Sequence, residues 1–436
     1  MAEIRPFRGV HYNKQLLSNL SQIICSPYDI ISPQLQQELY QRSHYNFIRL
    51  EHGREVPQDT ATDNKYTRSA STLEQWLKEG VLEIDETPAI YLHDHYFTYQ
   101  NMEYKRRGII ACVRLEEWDK MIIRPHEGTL AEPKSDRINL LRELKVNTSP
   151  ILAMFEDQKQ QISSLLAKQG LPEPLISSTD INGEKHYVWA ITEPKIVNQI
   201  CDSLANQPIY IADGHHRYES ALAYQRERKT RSSATSENEA FNFIMMTLVD
   251  FSDPGLLILP PHRLVRGISK SILNELIDKL RTFFDIEEQP LDISTIQQQS
   301  NNLLMETNEI RLFLSGLKKD HVLNLKLRNF TTTSKMMPYF HSELYKKLDV
   351  SIIDHIILEN LLELRGGKEE TRIAFSYDGQ DAINKVLDQE YQMVFLLSPI
   401  KAEVIKAIAD ASDKMPRKST YFYPKLPSGL VIHQLT

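Results

Sequence analysis

The chain has 436 residues, a formal net charge of -7, and 41% hydrophobic and 25% charged residues. This is the composition of a globular protein, and it excludes collagenous, low-complexity and generally disordered chains. The length exceeds what one hydrophobic core usually serves, so two or three packed units are expected. A pI near 6.1 does not suit a surface built to neutralise phosphate backbones, and nucleic acid is not an expected partner.

Cys25, Cys112 and Cys201 are few, odd in number and far apart, which excludes a disulfide framework or a zinc knuckle and fits a reducing compartment. The opening Met1 to Pro6 has no apolar core, and no apolar run approaches the roughly 18 residues of a membrane span. A cytoplasmic protein without membrane association is expected. A homo-oligomer is compatible with this composition.

In chain order, a helix is predicted around Ala70 to Glu79, then two strand-like stretches, Ala89 to Leu92 and Gly108 to Val113. Both are filled by apolar, β-branched and aromatic residues and flank Asn101-Met102-Glu103, which predicts a hairpin over about 89 to 115. A helix near Arg137 to Leu144 follows, then strands at Pro150 to Phe155, Tyr187 to Ile191 and Ile209 to Ala212, and helical composition from Glu219 to Arg228. Lys229 to Glu239, rich in Ser, Thr and charge, reads as a surface loop or lid. Beyond Pro260-Pro261 come helices near Ser269 to Phe284 and Ser351 to Leu364, with strands near Arg372 to Tyr377 and Met393 to Leu397. The expectation is an α/β (α+β) chain in three stretches, 1–116, 117–258 and 259–436, without a fixed-period repeat.

The most informative stretch is Asp213-Gly214-His215-His216-Arg217, at a strand-to-helix turn. A glycine there lets backbone N–H groups approach a ligand, and the open N–H groups and positive end of a helix attract phosphate, to which Arg217 adds a fork of donors. Asp213 at the strand end can hold a divalent cation or orient a histidine; as a plain helix cap it would do neither. In Arg124-Pro125-His126-Glu127-Gly128-Thr129, Glu127 is a candidate general base beside His126, against the alternative of a solvated turn. Lys134 to Arg137 reads as a helix cap with surface charges. Asn147-Thr148-Ser149-Pro150 is a turn signal whose polar groups, with Thr129, are also candidate substrate contacts. His262-Arg263 and Arg417-Lys418 are read as structural. There is no Walker loop, dinucleotide-binding glycine turn, zinc-protease helix or nucleophile elbow.

Pro125-His126-Glu127, Ser149-Pro150-Ile151 and Ile211 to Tyr218 together resemble the ParB/sulfiredoxin superfamily. With Ile4 to Phe7, Ser26 to Asp29, Tyr45 to Leu50 and Lys418 to Phe422, nearly the whole chain looks like a bacterial and archaeal family catalogued as a domain of unknown function and labelled ParB-like. The resemblance implies a mixed-sheet nucleotide-binding core with N-terminal and C-terminal α/β extensions. Sulfiredoxin-type repair needs a cysteine where this chain has His215, and a ParB-type DNA clamp needs a reading module that is not evident. The Asp-Gly-His-His-Arg turn is similar to that of free-serine kinases. That likeness implies ATP or ADP and Mg2+ as cofactors and L-serine as the first acceptor. It gives Glu127, Asp213 and His126 the catalytic roles, Asp213 the metal, and Gly214, His215, His216 and Arg217 the nucleotide phosphates. The alternative is a nucleotide-binding switch without small-molecule kinase activity.

Overall fold

The computed structural model of the chain describes residues 2–16, 20–157, 160–168, 173–205, 207–231, 236–292, 310–364 and 369–436. Contacts gather the chain into two units: Met1–Pro125 with Thr129–Leu257 and Pro424–Thr436, and His126–Gly128 with Ile258–Tyr423.

The first unit is organised by a nine-stranded mixed sheet. Its longest strands, Ile90–Tyr99 and Met102–Arg114, form the expected hairpin, and both extend further toward the turn than the apolar runs suggest. Gln100 and Asn101 turn the chain with φ of 50° and 61°, the left-handed pair that a two-residue hairpin turn requires. Alternation then sorts the side chains. Ile90, Leu92, Ile109, Ala111 and Val113 enter one core, while Tyr91, Ile110 and Cys112 enter another. Where both faces are buried, at Ile90 to Leu92 and Ile109 to Val113, the strands read as continuous apolar runs.

Across the sheet the order is Ile123–Arg124, Ile209–Asp213, Ile151–Phe155, Phe243–Asp250, Met102–Arg114, Ile90–Tyr99, Lys185–Ile191 and Ile176–Thr179, with Ile4–Arg5 beside Met102–Arg114. Ile209–Asp213 runs parallel to Ile123–Arg124, and Phe243–Asp250 parallel to Ile151–Phe155. A second sheet of four short strands sets the C-terminal Ile432–Gln434 between Gly9–Tyr12 and Val146–Asn147, with Leu82–Ile84 on the outside.

Three helices bear on the site. Lys65–Lys78 starts from a capping box in which the Asn64 side chain accepts from the Tyr66 and Thr67 amides and Thr67 answers the Asn64 amide. Ala131–Leu144 begins earlier than the sequence suggests, after a Leu130 that makes no side-chain cap bond. Pro133 is tolerated because the first-turn amides need no helical acceptor. Lys134 to Arg137 therefore lie inside the helix and not at its cap. There Asp136 binds Lys65 at 2.7 Å, Arg137, and the Tyr66 hydroxyl at 2.9 Å. His215–Arg231 is the third helix, so Lys229 to Arg231 are helical where a loop is expected. Residues 232–235 of that expected loop lie outside the described residues.

The second unit holds a six-stranded antiparallel sheet in the order Phe284–Pro290, His321–Leu327, Arg311–Ser315, Met393–Leu396, His262–Val265 and Ile373–Ser376. Ser269 caps the helix Lys270–Arg281 by accepting from the Ile272 amide. The single helix expected over 351–364 is instead Asp349–Ile352 passing into a π-helical stretch, Ile353–Leu361. His262 and Arg263 are buried framework: His262 Nδ1 accepts from the Leu397 amide, and Arg263 pairs with Asp354 at 3.3 Å. The whole is an α+β chain, and among the described residues no helix is long and apolar enough to cross a membrane.

Ile211 is fully buried in the strand that delivers the glycine turn. Ile211→Ala is expected to destabilise the first unit by about 2–5 kcal/mol through lost burial and the cavity left behind, read from the midpoint of its urea unfolding transition.

Candidate functional site

The Ile209–Asp213 strand hands the chain to the His215–Arg231 helix through Gly214, whose φ is +103°. A side-chain-bearing residue is strained there. A Cβ on Gly214 would also displace the Arg217 guanidinium, standing 2.9 Å from Nη2 and 3.0 Å from Nε. The expected glycine turn is present, and the group lying over the glycine is the protein's own guanidinium.

Arg217 is extensively engaged. Nη1 donates to Ser149 Oγ at 3.0 Å and to the Pro150 carbonyl at 2.6 Å, while Nη2 donates to Asp213 Oδ2 at 2.9 Å. Nε is buried and has no hydrogen-bond partner among the described residues. Ser149 in turn donates to Glu51 Oε1 at 3.3 Å, and Glu51 faces Arg137 at 3.7 Å. The guanidinium of Arg137 stacks 4.0 Å from the Tyr28 ring centroid. Burial raises the pKa of Tyr28 to about 12, against the opposing pull of Arg137 and Arg217.

Two side chains that pair at this turn were not singled out by sequence reasoning. Lys425 donates to Asp213 Oδ1 and lies 3.8 Å from Asp29, so one ammonium serves two carboxylates from distant parts of the chain. Burial works to raise the pKa of Asp213, but Lys425 and Arg217 outweigh it and hold the carboxyl well below the usual range. Asp29 is shifted the other way: desolvation and then the charge of Asp213 raise it, only partly offset by Lys425. Ser26-Pro27-Tyr28-Asp29 is a visible sequence signal for one partner, but nothing around Lys425 marks the other.

The remaining sequence candidates fall into three groups. His215 is buried at the first position of the helix. His216 Nε2 accepts from the Leu130 amide at 2.9 Å, and Thr129 donates to Glu219 at 2.6 Å, so the segment after Gly128 is fastened to the first turns of the same helix. Asn147 belongs to the framework: its carboxamide oxygen accepts from the Met245 amide at 3.0 Å and from His433 Nδ1 at 3.1 Å. A cavity of about 30 Å³ borders Asn147, Thr148, Ser149 and Arg217, room for about one water and not for a metabolite. His126 and Glu127 group with the second unit, where His126 Nε2 is 3.1 Å from Thr420 Oγ1 and Glu127 accepts from the Lys418 amide at 3.3 Å.

Residues 4–351 match the family described as "Protein of unknown function (DUF1015)", and the chain belongs to that family. No curated protein matches it. Among solved structures it is similar to a free serine kinase in complex with AMP, at 14% identity and a TM-score of 0.35 over 74% of this chain and 92% of the other. It is also similar to a conserved hypothetical protein from Pyrococcus furiosus, at 14% identity and a TM-score of 0.34 over 75% and 95% of the two chains. A third is SbnI with C-terminal truncation from Staphylococcus aureus, at 9% identity and a TM-score of 0.36 over 74% and 87%.

The opposite shifts of the two carboxyls give opposite pH signatures. The stabilisation by Asp213 is complete above the ordinary aspartate pKa of about 3.9 and is lost as pH falls through its lower folded value. Ionised Asp29 instead costs stability as pH rises through the window above about 3.9. Asp213→Asn is expected to lower the melting temperature at neutral pH, by a margin that shrinks in acid, because it strips Lys425 and Arg217 of their shared partner. Asp29→Asn is expected not to lower it. Melting curves from acid to neutral pH check both.

Proposed function

We propose that this protein is a phosphotransferase that moves a phosphoryl group from a nucleotide, ATP or ADP, to a small hydroxylated metabolite, with L-serine as the first acceptor. One observation carries the reading: a positive-φ glycine opens a helix at a strand end, with the buried, unspent Nε of Arg217 beside it. First-turn amides, the helix dipole and a guanidinium donor form an anion site of the kind phosphates occupy. Gly214, His215, His216 and Arg217 are the proposed phosphate contacts. The resemblance of the Asp-Gly-His-His-Arg turn to free-serine kinases adds to this reading.

Asp213 and Asp29 supply a carboxylate pair around one cation, now the Lys425 ammonium, and hard oxygen donors of this kind suit Mg2+. Bound there with nucleotide, Mg2+ would neutralise phosphate charge. Glu127 is the proposed base, taking the proton of the acceptor hydroxyl as that oxygen attacks phosphorus. His126 is proposed to assist it.

A second reading, a nucleotide-binding switch without acceptor turnover, draws on one feature. Both oxygens of Asp213 are taken by Lys425 and Arg217, so nucleotide entry must exchange ion pairs, and that exchange can itself be the output.

The purified protein incubated with Mg2+, L-serine and ATP or ADP is expected to yield O-phosphoserine by mass spectrometry. Glu127→Gln should reduce the rate about 100- to 10,000-fold while nucleotide still binds. Arg217→Ala should abolish nucleotide affinity. Nucleotide binding without phosphoserine would support the switch, and full activity in Glu127→Gln would remove that residue from the base role.

A further inference from the structure

A second cluster of ionisable groups lies buried in the first unit's main sheet, and the proposed phosphotransfer makes no use of it. Pleating puts His93 and His95 on the same face of the Ile90–Tyr99 strand. Register sets His95 opposite His186 on one neighbouring strand and opposite Arg106 on the other. Glu184, two residues before His186, brings Oε2 to 2.7 Å from His95 Nε2. The His95 and His186 ring centroids are 4.2 Å apart.

One donor atom each from His95, Glu184 and His186 lie within 4.8 Å of one another, and all three residues are buried. The second observation is a buried nitrogen of His186 without a well-formed hydrogen bond, although the Asp180 carboxylate interacts with the ring. His186 is fully buried, and its Nε2 meets no hydrogen-bond partner of good geometry among the described residues. Its Nδ1 is 3.2 Å from His93 Nε2, and Asp180 is a carboxylate facing the same ring. Burying imidazoles and a carboxylate together is costly unless each polar atom is satisfied, and a bound cation satisfies several at once.

We propose that His95, Glu184 and His186 bind one divalent transition-metal ion, with Zn2+ preferred. Two imidazoles and one carboxylate match the three-ligand set that leaves zinc a further coordination position, and nitrogen donors disfavour Mg2+ and Ca2+. Arg106 fixes the proton count. Its Nη2 donates to His95 Nδ1 at 3.1 Å and to the Pro424 carbonyl at 2.8 Å. A guanidinium can only donate, so Nδ1 is the acceptor and the neutral ring carries its proton on Nε2, toward Glu184. Metal entry breaks the Nε2–H bond: the proton leaves to solvent, the nitrogen pair goes to the metal, and Arg106 keeps its bond to the resulting imidazolate. The ion's two positive charges are balanced by that imidazolate and the Glu184 carboxylate.

The test uses the full chain without a histidine tag, stripped with chelator and dialysed against Zn2+ or Co2+, with bound metal counted by mass spectrometry. One ion per chain is expected, together with a visible Co2+ absorption band and a rise in melting temperature with Zn2+ but not with Mg2+. Glu184→Gln and His186→Gln should each weaken uptake at least about 10-fold, whereas His44→Gln, an exposed histidine, should leave it unchanged. Failure of the folded wild-type chain to take up stoichiometric metal would overturn the proposal whatever the variants do. So would wild-type uptake by variants that keep a native circular dichroism spectrum.

Discussion

A guanidinium lying over a glycine holds the first unit's key turn. Arg217 reaches from the first turn of its helix to Ser149, to the Pro150 carbonyl and to Asp213, which ties a helix, the entry to a neighbouring strand and the end of its own strand to one planar group. The arrangement works only because Gly214 offers no side chain and tolerates φ of +103°. From this clamp the rest of the site follows. Asp213 is fixed in place and pinned in its ionised form, Lys425 is drawn to it, and Asp29 is left at the edge with a carboxyl that resists ionisation. Buried ion pairs of this kind add little net stability compared with apolar packing, yet removing one partner is expensive. Such a site keeps a single geometry until a competing anion or cation arrives.

Legibility in the sequence followed the range of the interactions. The hairpin of Ile90–Tyr99 and Met102–Arg114 could be read because alternation and turn chemistry are local, and the Gly214 turn because strand composition, glycine and helix composition adjoin. The start of the Ala131–Leu144 helix was misplaced since Asp136 looks like a cap, whereas its charge is committed to Lys65, a contact across 71 residues of chain. Asn147 looked like a polar turn residue; its value lies in closing the Met245 amide and His433, partners no local window contains. Lys425 carried no sequence signal at all, and the same is true of the row His186, His95 and Arg106, which exists only once strand register is set.

The two ionisable clusters of the first unit handle burial differently. At Asp213 every charge has an opposite within reach, and Lys425 and Arg217 lower the carboxyl despite desolvation. Around His95 the charges are incompletely matched: burial, then neighbouring His186 and Arg106, push that imidazole well below its ordinary pKa, and burial lifts Glu184 to about 7. Arg106 is itself lowered to about 10 by burial.

The insertion of Ile258–Tyr423 between Leu257 and Pro424 dictates an order of events during synthesis. While the second unit is being made, the ribosome has not yet released Lys425, and the nascent Asp213 and Asp29 lack their common ammonium. The small sheet is also open then, because Gly9–Tyr12 and Val146–Asn147 both await Ile432–Gln434. The first unit, though mostly translated first, is completed last. Through that interval it carries unpaired strand edges, a hazard for off-pathway association.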